Sequence, residues 1–259
     1  MLRIRLSRAA CCLLPVAFAS ALQAQAPDRA STPTVAVLYF TNSALVRKES
    51  YDPLTKGVAD MLIGDLIANP SIRVVERDQL QKILDELNLS ASGRVDPETS
   101  VRLGKVLGAH HILTGGFVIS QKETIRLAIR SVNVETTEVE YAETVSGKSD
   151  DVLELIAELA KRVNVGLHLP PMPVRATGAA PSVQHADSQV TQASVPVQVS
   201  AADRYRAFFL VCRSIEEQDK KHFPEAIGLL RQALQLYPTF ERAQVRLASL
   251  ESEGAAKSH

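Results

Sequence analysis

The sequence predicts an α/β domain with a mixed sheet, followed by a small all-α module, and three observations support this division. Between residues 34 and 167, short runs of β-forming residues alternate with segments whose apolar residues recur at helical spacing. Residues 170–201 contain five prolines among Ala, Ser, Thr, Gln and Val, without an aromatic residue. From residue 202 to residue 255 the pattern is helical throughout. We therefore predict a disordered linker over residues 170–201 between the two folded parts.

Residues 1–24 are predicted to form a secretory signal peptide. Three arginines stand within the first eight residues and precede an apolar run from Ala9 to Ala19. This run is too short to span a bilayer as a helix, and no later run is long enough. The small residues that follow predict cleavage after Ala24, with Ala26 as the alternative.

Charge and cysteine content narrow the class of protein. The chain carries 29 Lys and Arg residues against 29 Asp and Glu residues. Loss of the signal peptide removes three arginines, and the slightly acidic remainder argues against a nucleic-acid partner. Cys11 and Cys12 lie inside the apolar run of the signal, where a lipid anchor is not expected. Cys212 then remains as the single thiol, so an internal disulfide is excluded.

The α/β domain is predicted to begin with a buried strand over Thr34–Phe40. Asp52-Pro53 has the cap residue and first-turn proline of a helix start, and Asn69-Pro70 ends that helix. A brief strand is expected over Ile72–Val75, followed by a helix led by Asp78. A third helix starts at Asp96-Pro97, and Gly108 is placed to end it.

Three strands in a meander and a helix complete this domain. The strands are predicted over His111–Ser120, Thr124–Val134 and Glu138–Ser146, and the helix over residues 150–167. In the second strand the apolar residues change parity after Ile129, which predicts a β-bulge near Ser131. Two adjacent glycines, Gly115 and Gly116, indicate a bulge or a close backbone approach rather than a phosphate site.

The helical module shows the spacing of one tetratricopeptide repeat of about 34 residues. A third helix from Glu241 to about Glu253 is predicted to cap the helix pair. The positions that match the repeat are Ala207, Leu210, Ser214, Phe223, Ala226, Leu230, Ala233 and Pro238.

The candidate partner-binding residues are Phe208, Phe209 and Leu210. Successive residues of a helix point about 100° apart, so these three side chains cannot all face the interior of one small module. A domain of this size also has a small core of its own. We therefore predict that a surplus apolar face binds the α/β domain, a second copy of the chain or a partner helix.

The sequence contains no recognisable motif for catalysis or metal binding. His110 and His111 are adjacent on a predicted strand, where neighbouring side chains point to opposite faces and cannot share a metal ion. Cys212 lies at helical spacing beside two phenylalanines, which predicts a buried, inert thiol. The charged triplet Glu76-Arg77-Asp78 is interpreted as a helix cap with a surface ion pair. We expect no enzyme activity, no metal and no cofactor.

Four ordered segments resemble the CsgG family, which includes the curli secretion channel. They are Val35–Phe40, Gly57–Ile63, Val74–Leu80, and Leu103–Ala109 with Ile112–Gly116. A turn within Val132–Glu138 also resembles the family, except that Thr137 stands where relatives often have Gly. The resemblance covers residues 34–167 and implies a periplasmic domain that contacts protein partners and can assemble into a homo-oligomer.

The short turns between the predicted strands leave no room for the membrane hairpins of the curli channel, since a membrane strand needs about 9–11 residues. The resemblance therefore implies a non-enzymatic periplasmic protein that acts through protein contacts in cell-envelope assembly or secretion. We expect the protein to be located in the periplasm. Whether it also associates with the outer membrane stays open. Two alternatives also stay open: a regulator of a peptidoglycan synthase, and a hydrolase whose site is assembled from residues distant in sequence.

Overall fold

The centre of the α/β part is a mixed sheet, seen in a computed structural model that describes residues 32–87, 97–169 and 199–256. The described strands are β1 (Thr34–Val37), β2 (Thr41–Asn42), β3 (Arg73–Val74), β4 (His111–Ile119), β5 (Thr124–Asn133) and β6 (Val139–Lys148). Their order is β3-β1-β4-β5-β6, and β2 pairs with β4. β1 is parallel to β3 and β4, whereas β4, β5 and β6 form the predicted antiparallel meander.

The described helices fall into two groups. Four belong to the α/β part and three to the helical module, in which α6 packs against both α5 and α7. The predicted signal peptide and nearly all of the predicted linker lie outside the described residues. The helices are α1 (Pro53–Ile67), α2 (Arg77–Glu86), α3 (Pro97–Leu107), α4 (Val152–Gly166), α5 (Ala201–Asp219), α6 (Phe223–Leu236) and α7 (Glu241–Ala256).

The helix starts and ends agree with the local signals of the sequence, with small differences. Pro53 begins α1, but the Asp52 side chain does not cap it; its Oδ1 instead accepts a hydrogen bond from Asn42 Nδ2 at 2.7 Å. Arg77, one residue before the predicted Asp78, begins α2. Gly108 follows α3 with φ of 63°, a backbone conformation that favours glycine.

The two faces of the sheet have different covers. On one face, α4 packs against β6, and a Cβ at Gly147 would lie 3.2 Å from Leu155. On the other face, α3 covers the start of β4, where Gly104 lies against Ile112 and Val134. Beyond α3, on this second face, the meander has no cover in the described part of the chain.

The bulge predicted within β5 near Ser131 is wrong, because Ser131 pairs with Tyr141 and Val132 pairs with Val139, which makes Glu140 of β6 the additional residue. The observed bulge therefore lies in β6. It does not bring Val132 to the face of Ile129. The register with β4 is continuous, so Val132 pairs with Ile112 on the opposite face. Val132 is only 4% exposed, because α3 buries that end of the face.

The expected close backbone approach occurs at Gly115. A Cβ on Gly115 would lie 2.5 Å from the Ala128 carbonyl oxygen and 2.7 Å from the Phe40 ring. Phe40 closes a continuously buried run that begins at Thr34. Among the described residues, no helix is both long enough and apolar enough to span a bilayer.

Candidate interaction surface

The uncovered part of β4, β5 and β6 is the candidate interaction surface, and we call it the open sheet face. Because strand residues alternate between faces, its members recur at every second position and lie in register across the three strands. They are exposed or half-buried. The members are Thr114, Gly116, Val118, Arg126, Ala128, Arg130, Ala142, Thr144 and Ser146.

A depression of about 650 Å³ occupies the middle of the open sheet face. Its floor is formed by small residues, since Gly116, Ala128 and Thr144 are paired in one row across the strands. Arg130 and Glu143 also line it. A floor without large side chains allows the main chain or a bulky side chain of a partner to come close to the sheet.

The carboxylate of Glu143 is compensated within the chain. It accepts hydrogen bonds from the Thr144 N–H at 2.8 Å, from the Tyr141 hydroxyl at 3.2 Å and from Arg162 Nη1 at 3.5 Å. The Thr144 N–H, together with Tyr141 and Arg162, holds the pKa of Glu143 below its ordinary value, although desolvation acts in the opposite direction. The negative charge of Glu143 is therefore already compensated by hydrogen-bond donors of this chain.

The charges of the two arginines of the open sheet face, unlike that of Glu143, are not paired with an opposite charge within the described residues. Within the described residues, neither Arg126 nor Arg130 has an acidic partner within 4.0 Å. Arg130 donates from Nε to Thr114 Oγ1 at 3.2 Å. Both residues are exposed on the same face of β5. The open sheet face thus presents positive charge with no carboxylate paired to it.

A second contact surface lies between α1 and α5, and it is already occupied. α5 packs against α1 as well as α6. Gly57 on α1 faces Cys212 on α5 so closely that a Cβ at Gly57 would overlap Sγ. Cys212 is fully buried, as predicted, and this burial raises the pKa of its thiol. The helical module is thereby packed onto the α/β domain.

This packing determines how far each of the three candidate partner-binding residues is exposed. Phe208 is 0% exposed, so it is buried between helices of this chain and is not available to another protein. Of the three expected occupants of the surplus apolar face, the α/β domain is the one that packs on α5. The physical reason is that α5 is covered by α1 on one side and by α6 on the other. Phe209 and Leu210 are half-buried and pack at the edge of the same core. The Phe209 ring also lies 6.4 Å from the Tyr205 ring.

A buried carboxylate, Asp60, ties α7 to α1. Asp60 is 0% exposed and accepts hydrogen bonds from Arg242 Nε at 3.0 Å and Arg242 Nη2 at 2.8 Å. Arg246 Nη2 donates to the same carboxylate. Burial by itself raises the pKa of Asp60, but the attraction of Arg246 and Arg242 outweighs it, so the pKa lies below its ordinary value.

A second ionic contact ties α5 to the start of α2. Arg77 Nη1 donates to Asp219 Oδ1 at 2.9 Å, and Lys56 pairs with the same Asp219 side chain. Arg77 is only 3% exposed. The interpretation of residues 76–78 as a surface ion pair is therefore wrong for Arg77. Although Arg77 does bond Asp78 Oδ1 at 2.6 Å, its other partner comes from the helical module.

Asp60 was not predicted from the sequence, yet α1 carries a signal for it. Leu62 and Leu66 are buried on one face of α1, while Gly57, Asp60 and Gly64 recur at i, i+3 and i+7 on another. A helix that is apolar or small on two faces must be covered twice. The second cover is the helical module, which contacts Gly57 through Cys212 and Gly64 through Arg242.

The two adjacent histidines have separate partners. Nδ1 of His110 accepts a hydrogen bond from the Thr34 N–H at 3.0 Å, whereas His111 Nδ1 bonds the Glu140 carboxylate. In the part of the chain that the structure describes, no group of three or more His, Cys, Asp or Glu side chains is arranged to hold a metal ion.

The family comparison identifies the class of protein that the fold resembles. The sequence model of the CsgG family, described as "Curli production assembly/transport component CsgG", matches residues 17–119. The match ends at Ile119, the last residue of β4, so β5, β6 and α4 lie beyond it. The matched segment supports a CsgG-like fold. No curated protein sequence matches the chain.

Several solved structures match parts of the chain, at low sequence identity and with low TM-scores. The LpoB C-terminal domain from Salmonella enterica is 16% identical over 45% of this chain and 83% of its own, with a TM-score of 0.36. A PelC dodecamer from Paraburkholderia phytofirmans is 12% identical over 54% of this chain and 92% of its own, with a TM-score of 0.33. TolB from Acinetobacter baumannii is 14% identical over 56% of this chain and 30% of its own, with a TM-score of 0.36.

Proposed function

We propose that this chain is a non-enzymatic periplasmic protein that acts through protein contacts in cell-envelope assembly or secretion. The resemblance of residues 17–119 to the CsgG family supports the cell envelope as its place. The observation that carries the mode of action is the open sheet face, because its depression of about 650 Å³ opens to solvent over a floor of small residues. Such a surface suits a protein partner.

The edge of the sheet supports the same proposal. β6 pairs only with β5 and is ten residues long, so its outer edge keeps unpaired backbone groups among the described residues. Val139 at its start is 58% exposed. Backbone groups on a free edge can extend pairing to a strand of a partner or of a second copy of this chain.

The helical module is proposed to contribute a smaller contact. Phe209 and Leu210 are half-buried, so part of each side chain stays accessible beside the α1–α5 interface. The repeat-like spacing of α5 and α6 is consistent with a helix pair that receives a peptide or helix. Phe208 has no share in this contact, because it is buried in the core.

Site-specific photo-crosslinking in the native cell tests the proposal. Ala128→p-benzoylphenylalanine places a photoreactive group on the floor of the open sheet face. Lys161→p-benzoylphenylalanine is the matched control, since Lys161 is exposed on α4, outside this face. We expect a discrete adduct with an envelope protein at residue 128 only. A separate measurement, N-terminal sequencing of the exported protein, should show that the mature chain begins at Gln25.

The identity of the adduct separates the alternatives. A secretion or assembly component supports the proposal, and a peptidoglycan synthase supports the regulator alternative. Illumination that yields no adduct at residue 128, or equal adducts at residues 128 and 161, would show that the open sheet face is not a specific contact surface. An intact Met1 in the mature chain would reject export by signal cleavage.

A further inference from the structure

The open sheet face carries a spaced pair of arginines on β5. Arg126 and Arg130 are four residues apart on one strand, so their Cα atoms lie about 13 Å from each other. Ala128 lies between them, and its side chain is too short to obstruct either guanidinium. The pair therefore brackets the low floor of the depression.

The neighbouring strands place little negative charge opposite the pair. Arg126 is flanked by Val118 and Ser146, and Arg130 by Thr114 and Ala142. Glu143 lines the depression but is engaged by Thr144, Tyr141 and Arg162, as described above. An acidic group of a partner would therefore meet two available guanidinium groups.

The chemistry of the pair selects the kind of partner. A guanidinium binds a carboxylate through two parallel N–H donors, which gives direction as well as charge. Carboxylates four residues apart in an extended peptide are also separated by about 13 Å. A polyanion such as nucleic acid would need a broad basic surface, whereas this chain has as many acidic as basic residues. The spacing and the local charge favour an extended acidic peptide.

We propose that the open sheet face binds an extended acidic segment of a partner protein, whose carboxylates pair with Arg126 and Arg130. This inference rests on the proposed function and adds the chemistry of the partner to it. The segment lies along β5 with its backbone over Ala128, where Gly116 and Thr144 allow close approach. Its two carboxylates, four positions apart, reach the two guanidinium groups at either end of the floor.

An NMR titration of the full chain with a synthetic peptide tests the inference. The probe is an extended peptide of about a dozen Ser and Thr residues that carries two glutamates four positions apart. We expect it to shift the amide signals of β5 and β6, and the Arg126→Gln/Arg130→Gln variant to weaken binding about tenfold or more. Arg73→Gln/Arg213→Gln is the charge-matched control, since both residues are exposed outside the open sheet face.

Three peptide and variant comparisons decide the outcome. The same peptide with glutamines in place of the glutamates should not bind, and one with glutamates two positions apart should bind several-fold more weakly. Arg126→Lys/Arg130→Lys keeps the charge but loses the paired donors, so it should bind with intermediate affinity. Equal binding by the Arg126→Gln/Arg130→Gln variant, or binding of phosphatidylglycerol vesicles in preference to the peptide, would overturn the inference.

Crosslinking distinguishes failure of this inference from failure of the proposed function. If the Ala128→p-benzoylphenylalanine adduct persists in the Arg126→Gln/Arg130→Gln background, the protein contact stands and the acidic-segment inference is wrong. If the adduct is lost only in that background, and not with Arg73→Gln/Arg213→Gln, the inference is supported.

Discussion

Arg242 on α7 makes two hydrogen bonds to Asp60 on α1, although the two residues are 182 positions apart in the chain. The guanidinium engages both carboxylate oxygens, which is the strong bidentate form of such a contact. Asp60 is fully buried and lies in α1, which contacts β1, β2 and β3 of the sheet. The helical module is therefore bound to the α/β domain by a directional ionic contact in addition to apolar packing.

Replacing Asp60 should strongly destabilise the fold. Asp60→Asn leaves Arg242 and Arg246 largely buried without their counter-charge, and breaking a buried ion pair in this way costs about 3–5 kcal/mol. The free energy of unfolding from urea denaturation measures the effect. Glu158→Gln is the control, because Glu158 forms an exposed i,i+4 pair with Arg162, and it should cost under about 1 kcal/mol. Equal losses in the two variants would contradict the role given to Asp60.

The same carboxylate predicts a pH dependence of stability. The pKa of Asp60 lies below its ordinary value in the folded protein, so the unfolded chain binds the proton more tightly. The contribution of Asp60 is therefore fully present above the ordinary Asp pKa of about 3.9 and is lost as the pH falls through the lower folded pKa. Unfolding free energies measured from neutral pH down to about pH 2 should fall less steeply in Asp60→Asn. Parallel curves for the two proteins would exclude this assignment.

Filling the space at Gly57 should separate α1 from α5. Gly57→Ala places a Cβ onto Sγ of Cys212, and overpacking of this kind costs about 1–3 kcal/mol. Cys212→Ala in the same chain should recover part of the loss. Gly228→Ala on α6 is the matched control, because a Cβ there meets nothing within 4 Å and should stabilise the helix by about 0.5–1 kcal/mol. Thermal unfolding of the three variants and the unchanged protein tests the interface, which would be refuted if the two glycine substitutions behaved alike.

The turn between β5 and β6 contains a strained residue. Thr137 has φ of 64°, in the left-handed region that a β-branched residue rarely adopts. Thr137→Gly should therefore stabilise the protein by about 1 kcal/mol. Thr137→Ala keeps a Cβ and should gain much less. Chemical denaturation of both variants distinguishes the relief of backbone strain from the loss of the hydroxyl group.

Local signals in the sequence determined most of the elements. Alternating and helical periodicities predicted the meander and the helices, and Pro53 and Gly108 marked a helix start and a helix end. Gly115 predicted a close approach to the backbone, and the groups that lie close to it are the Phe40 ring and the Ala128 carbonyl oxygen. These features depend on neighbours along the chain or on the backbone conformation of one residue, so they can be derived from sequence alone.

The open sheet face was only partly accessible to such reasoning. Side chains alternate between the two faces of a strand, so the sequence alone places Arg126, Ala128 and Arg130 on the same face of β5. Which face stays free depends on where α3 and α4 pack, and no local pattern specifies this. Val132 shows the difficulty, because its burial comes from α3 on the opposite face and not from the bulge that its parity predicted.

The sequence by itself determined that an α/β domain precedes a helical module, and that Phe208, Phe209 and Leu210 exceed what one small helical core can cover. Only the tertiary structure decided that α1 is the cover for α5, that Phe208 is buried, and that Arg77 pairs with Asp219. The physical reason is that a charge inside a helix face gives no sign of its partner. Asp60 finds Arg242 and Arg246 only because chain segments far apart in sequence are packed together, and desolvation then makes their pairing obligatory.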